Sequence, residues 1–161
     1  MSAHLSLPAE ADTLRLGAAL ADAADPGALR GLVLHLSGEL GSGKTTLVRG
    51  LLRALGHGGH ARSPSYALVE PYVFSRLNLY HFDFYRFKDL SEWVSSGFRE
   101  HFNPDTLCVV EWPERAGGAL PAADLQVKLS YPQEGRAAEL EAHSPRGEAW
   151  LQSCLARWRS G

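Results

Sequence analysis

The chain has little cysteine: only Cys108 and Cys154 occur in its 161 residues, far apart and in no metal-ligand spacing. That excludes a disulfide-stapled scaffold and a cysteine-ligated metal centre, and it suits a reducing compartment in which both thiols are buried. Basic charge is not in excess either. Sixteen Lys and Arg stand against eighteen Asp and Glu, a formal charge of −2, which excludes the strongly basic face that captures DNA or RNA unaided. No apolar run approaches the roughly 18 residues of a membrane span, and the first residues lack the charged start and apolar block of a signal peptide. The expectation is a cytoplasmic protein with no membrane partner. Repeats, low-complexity tracts and linker-like stretches are missing too, so a single domain over residues 1–161 is predicted. Its 45% hydrophobic content is enough to bury a core.

What the chain does contain is a succession of helical and strand-like periods. Thr13 to Leu20 has helical spacing, and Asp25-Pro26-Gly27 supplies a stop. Leu32 to Leu36 reads as a strand buried on both faces, and a glycine-rich loop follows at once. Leu47, Val48, Leu51, Leu52 and Leu55 then recur at helical intervals until Gly56. Ser63-Pro64-Ser65-Tyr66 reads as a proline-restricted loop. Two β-rich runs, 67–74 and 77–84, are separated by two residues and are expected to pair as an antiparallel hairpin. A short helix is predicted over 89–96, ending at Gly97, and Thr106 to Glu111 is a buried strand candidate. Residues 124–130 and 136–142 look like two more strands, and 146–159 like a closing helix. The order makes this a mixed α/β domain.

Gly38, four residues, Gly43, Lys44 and Thr45 satisfy the pattern G-x-x-x-x-G-K-[ST], between a predicted strand and a predicted helix. Glycines let the backbone curl around a phosphate so that successive N–H groups form an anion-binding nest, and the helix start adds unpaired N–H groups and the positive end of its dipole. The candidate nucleotide-binding positions are therefore Gly38, Glu39, Leu40, Gly41, Ser42, Gly43, Lys44, Thr45 and Thr46. Lys44 can reach the β and γ phosphates, and the Thr45 hydroxyl can ligate the bridging Mg2+. The Glu39 side chain is expected to point outward. The loop predicts a bound nucleoside triphosphate.

Phosphoryl transfer also needs carboxylates for the metal and a nucleophilic water. Asp83, in Tyr80-His-Phe-Asp-Phe-Tyr-Arg86, and Glu111, in Cys108-Val-Val-Glu-Trp-Pro113, each end an apolar run, and carboxyl ends of strands are where open α/β sheets bind ligands. A simpler reading of Asp83 is a carboxylate paired with Arg86. Ser65 offers a hydroxyl for nucleotide sensing or serves only as a turn residue, and His81 reads as a hydrogen-bonded strand histidine.

GELGSGKTT, RSPSYALVEPY, YHFDFYR and VVEWPER, in this order, resemble the bacterial TsaE (YjeE) family, roughly from Pro8 to Arg136. The resemblance implies a P-loop NTPase-like three-layer α/β/α fold with a mixed, mainly parallel central sheet. It implies a weak ATPase that hydrolyses ATP with Mg2+ while docked on the TsaD and TsaB proteins, supports threonylcarbamoyladenosine modification of tRNA, and meets tRNA only through that complex. By motif, Lys44, Asp83 and Glu111 would be the catalytic set, with Thr45, Asp83 and Glu111 at the metal. Trp112 would pack beside the site, while the adenine side would be closed around Glu10 and a turn near Gly135 and Arg136. Two departures stand out. Ser65 replaces the family's usual threonine in S-P-T-Y, keeping the hydroxyl and losing the methyl that limits its rotamers, and Leu90 to Ser96 is less acidic than usual.

Three other readings use the same loop. A nucleotide or small-molecule kinase would add an arginine-bearing lid, and Arg62, Arg76 and Arg86 are not clustered as one in sequence. A small GTPase is disfavoured because no N-K-x-D stretch occurs. A nucleotide-gated assembly subunit without required hydrolysis stays open. Ala156-Arg-Trp-Arg159 reads as the solvated basic end of a helix, with RNA contact as the alternative.

Overall fold

The computed structural model describes residues 1–22, 25–59, 68–88, 97–131 and 135–161. The expected Ser63–Tyr66 loop, Ser65 included, and the helix expected over 89–96 lie outside the described residues. In chain order the strands are β1 (Ser2–Leu7), β2 (Val33–Ser37), β3 (Val69–Val73), β4 (Asn78–Asp83), β5 (Thr106–Glu111), β6 (Leu125–Ser130) and β7 (Arg136–Ala142). The α-helices among the described residues are α1 (Glu10–Ala21), α2 (Lys44–Ala54) and α3 (Pro145–Ser160).

All seven strands form one sheet in the order β1-β7-β6-β2-β5-β4-β3. Its central four, β6, β2, β5 and β4, run parallel, while β1 and β7 continue antiparallel at one edge and β3 pairs antiparallel with β4 at the other. The predicted hairpin is thus present as β3 and β4. β1 has no counterpart in the sequence reading. Ala3, Leu5 and Leu7 alternate with polar residues, but the strand pairs only on β7 and just Leu7 is fully buried, so its apolar signal is thin.

The helices cover one face. Leu16 and Leu20 of α1, Leu47, Val48, Leu51 and Leu52 of α2, and Leu151 and Cys154 of α3 share one core with the sheet residues Leu34, Leu36, Leu107 and Val109. Helices α1 and α2 cross at their glycines: a Cβ on Gly17 would overlap the Leu47 carbonyl oxygen, and one on Gly50 would overlap that of Leu14. The opposite face is packed by a second cluster, Phe82, Phe84, Phe87, Phe98, Cys108 and Val110, under the 3-10 turns Phe98–His101 and Pro113–Ala119.

Asp124 ties three elements together. Its carboxylate accepts the Val33 N–H at 2.8 Å and the Ser144 hydroxyl at 2.7 Å, and Ser144 in turn accepts the Gly147 N–H at 2.9 Å, capping α3 with Pro145 at its first position. Both cysteines are free and buried as expected, and burial pushes each thiol up to about 12. The basic end of α3 is only partly the expected solvated tip: Arg159 is exposed, while Arg157 donates to the Ala19 carbonyl at 2.6 Å and pairs with Asp22, and Trp158 lies under the Arg15 guanidinium at 3.5 Å, so Arg157 and Trp158 are drawn onto α1.

Candidate nucleotide site

The loop from Ser37 to Lys44 joins β2 to α2, and its course depends on glycine. Gly43 has φ 108°, a left-handed value that side chains disfavour, and a Cβ on Gly38 (φ 142°) would sit 2.5 Å from the Leu129 carbonyl oxygen and 2.6 Å from Ser42 Oγ. A side chain at Gly38 would overlap β6 and the loop itself, so the curl closes only with glycine there. Glu39 and Leu40 are exposed on its outer side, Glu39 as expected, and Ser42 is buried.

Lys44, 5% exposed, reaches back along the loop. Its Nζ donates to the Gly38 carbonyl at 2.5 Å and the Glu39 carbonyl at 2.9 Å, and it lies 4.3 Å from the centre of the Trp112 ring. Burial lowers its pKa, opposed by the negative charges of Glu111, Asp83 and Glu114. The two distant carboxylates are therefore both in the field of this ammonium.

Sheet register brings those carboxylates together. In the parallel β4/β5 pair Asp83 is directly opposite Glu111, so they end adjacent strands side by side on the face turned to α2. Glu111 is 2% exposed, and its Oε1 and Oε2 accept from the Thr45 hydroxyl at 3.3 and 3.2 Å. Asp83 Oδ1 accepts the Tyr85 N–H at 3.0 Å. Among the described residues no three His, Cys, Asp or Glu side chains form a metal cluster. The oxygen donors here, one hydroxyl and neighbouring carboxylates, fit a hard cation such as Mg2+ that keeps its water and phosphate ligands.

After Glu111 the chain turns sharply. Trp112 takes φ 57° and ψ 48°, a left-handed conformation unfavourable for a non-glycine residue by about 1–2 kcal/mol, and the bend lays its indole beside Lys44 and Tyr85, 5.0 Å between ring centres. A cleft of about 290 Å3 opens here, lined by Leu40, Gly41 and residues 43–46 of the loop, Glu111 and Trp112 at the end of β5, and Arg136 at the start of β7. Arg136 Nη2 points to the Gly41 carbonyl at 3.4 Å.

The remaining described candidates divide. Gly135 packs on Pro8, where a Cβ would lie 3.3 Å from the Pro8 Cα, so the N-terminal segment and the turn before β7 do adjoin. Glu10 instead faces Arg49, 3.8 Å away, and is not part of the cleft lining. Of two further neighbours, His81 reads in sequence only as a hydrogen-bonded strand histidine, and Tyr131 escaped the sequence reading. His81 bonds directly to Glu111, and the exposed Tyr131 lies under Arg136, 5.3 Å from its guanidinium, with its hydroxyl near Gly41. A larger cavity, about 480 Å3, opens at the other end of the strands near Gly31, Pro104 and Arg146. Its charged groups are already engaged: Arg146 Nη2 donates to the Ala28 and Arg30 carbonyls, and Asp124 holds Val33 and Ser144.

A strand, glycine loop and helix of this geometry, with a lysine, a hydroxyl and two strand-end carboxylates converging, define a nucleotide-binding α/β protein of the phosphate-loop class. The sequence profile of the family described as Threonylcarbamoyl adenosine biosynthesis protein TsaE matches residues 7–138. The protein of Haemophilus influenzae named tRNA threonylcarbamoyladenosine biosynthesis protein TsaE is 43% identical over 119 residues, 74% of this chain and 75% of that protein. The protein of the same name from Treponema pallidum is 36% identical over 105 residues, 65% of this chain and 77% of the relative. The crystal structure of Bacillus subtilis YdiB superposes with a TM-score of 0.71 at 25% identity, covering 97% of this chain and 94% of the other. The chain belongs to the TsaE family.

Proposed function

We propose that this chain binds ATP with Mg2+ and hydrolyses it slowly, in the cytoplasm, as the nucleotide-driven member of a TsaD and TsaB assembly that makes threonylcarbamoyladenosine in tRNA. The tRNA pathway follows from the names of its relatives. The single observation that carries the chemistry is the meeting of Thr45, Glu111 and Asp83 beside a buried Lys44 at one end of the sheet. In this reading the amides of the loop and the start of α2 hold the phosphates, and Lys44 leaves its backbone carbonyls for the β and γ oxygens. Thr45, Glu111 and Asp83 would hold Mg2+, which offsets charge on the phosphates. Trp112 and Arg136 close the two sides of the cleft. The formal charge of −2 supports RNA contact through partners over independent capture.

Calorimetry and phosphate release test this together. Wild-type protein is expected to bind MgATP and to turn over faster when TsaB and TsaD are added. Lys44→Ala is expected to lose binding, whereas Glu111→Ala keeps much of it and loses on the order of 10²-fold in kcat. Unchanged hydrolysis in Glu111→Ala would remove the metal assignment, and turnover indifferent to the two partners would remove the assembly role.

A further inference from the structure

His81 is fully buried on β4, two residues before Asp83 and on the same sheet face. Its Nε2 stands 2.5 Å from Glu111 Oε2, while its Nδ1 is buried with no partner among the described residues. That asymmetry fixes the tautomer. With the proton on Nε2 only an acceptor lone pair at Nδ1 goes unsatisfied, whereas with the proton on Nδ1 a buried N–H would have nothing to receive it. His81 therefore donates through Nε2 to the Glu111 carboxylate.

A histidine is a poor choice for filling this space. The neighbouring Phe82, and Phe84 just beyond β4, are fully buried phenylalanines that leave no polar atom unsatisfied. At 81 the chain accepts a ring nitrogen left without a partner among the described residues and gains a bond to Glu111. Glu111 is thereby held from β4 by His81 and from α2 by Thr45. The second contact is not permanent if Thr45 and Glu111 both turn oxygens toward a cation, because the hydroxyl proton must then swing away from the carboxylate. The first contact remains.

We propose that His81 is a positioning residue whose Nε2–H anchors Glu111 Oε2, so that the carboxylate keeps its face toward Thr45 and the divalent cation. This rests on the reading of Thr45 and Glu111 as magnesium ligands. The probe is ADP with Mn2+, which permits both calorimetry and electron paramagnetic resonance on the full chain, and the variants are His81→Phe, His81→Gln and His81→Asn. Glutamine places an amide N–H at the reach of Nε2, while asparagine places it only at the reach of Nδ1.

In EDTA all four proteins should bind ADP alike, because the phosphate loop is untouched. With Mn2+, wild type and His81→Gln should gain affinity and give the same protein-bound Mn2+ signal. His81→Phe and His81→Asn should lose about tenfold or more of that metal-dependent gain, and kcat for MgATP should fall in both, while their ADP affinity in EDTA stays that of wild type. Wild-type metal dependence in His81→Phe would overturn the proposal, and so would equal behaviour of His81→Gln and His81→Asn, a comparison that stands even if the phenylalanine variant does not fold. Wild-type protein that binds no ADP under any condition would sink the proposed function itself, whereas wild-type binding with indifferent variants would sink only the role of His81.

Discussion

His35 is a base kept neutral by its surroundings. It sits on β2 with Nε2 buried and without a partner among the described residues, and burial lowers its pKa from the ordinary 6.5 to about 4, helped by His143 and opposed by a hydrogen bond to the Pro121 backbone and by Asp124. Because the folded value is the lower one, the unfolded chain binds the extra proton between pH 6.5 and 4. Stability from this residue is complete above that window and falls as pH drops through it, by at most about 1.4 kcal/mol per pH unit. His35→Asn keeps a donor near the Nδ1 position and cannot titrate, so its urea midpoints should decline less between pH 6.5 and 4 than those of wild type. Equal slopes would acquit His35. None of this is visible in the sequence, where a histidine inside Leu-Val-Leu-His-Leu says nothing of what its ring meets. The same holds for His81, whose partner Glu111 is thirty positions away and is supplied by strand register alone. The phosphate loop is the opposite case: its function is carried by contiguous backbone, so spacing alone reveals it.

At the scale of elements, the crossing of α1 and α2 shows how a local motif depends on its support. The first turn of α2 carries Lys44 and Thr45, and α2 is seated on α1 through Gly17 and Gly50, where backbone approaches backbone too closely for any Cβ. Gly17→Ala and Gly50→Ala would normally favour a helix by up to about 1 kcal/mol through propensity. Here the added methyl would meet a rigid carbonyl, so each is expected to lose about 1–3 kcal/mol instead and to weaken nucleotide binding by shifting the start of α2. Chemical denaturation of the two variants checks the sign, and a gain in stability would mean the helices part without cost. Apolar period made α1, α2, β5 and α3 legible because each buries a continuous stripe or run. β1 was not, since an edge strand with one buried residue at its end leaves almost no pattern.

The whole molecule is organised by contacts between distant parts of the chain. β1 closes on β7 with Leu7 opposite Arg136, α3 packs on α1, and β5, read correctly as a strand, lies between β2 and β4, a placement no local signal fixes. Since one sheet runs from β1 at one edge to β3 at the other, with the three helices sharing a core on one face and the phenylalanine cluster packed on the other, the described elements depend on a common sheet. Thermal unfolding is expected as one cooperative transition. The glycine loop lies inside that unit, with Lys44 buried and Glu111 reached from both β4 and α2, so MgATP bound as proposed should stabilise the entire fold. At a hundred times Kd a ligand specific to the native state adds about 2.7 kcal/mol, which for a chain of this size raises the midpoint by roughly 5–10 °C. Scanning calorimetry with and without MgATP measures both features at once. Lys44→Ala should show the single transition without the shift. Two separated transitions, with only one of them moved by nucleotide, would place the phosphate loop in a unit that folds apart from the strand edges, and the single-domain account would then be wrong.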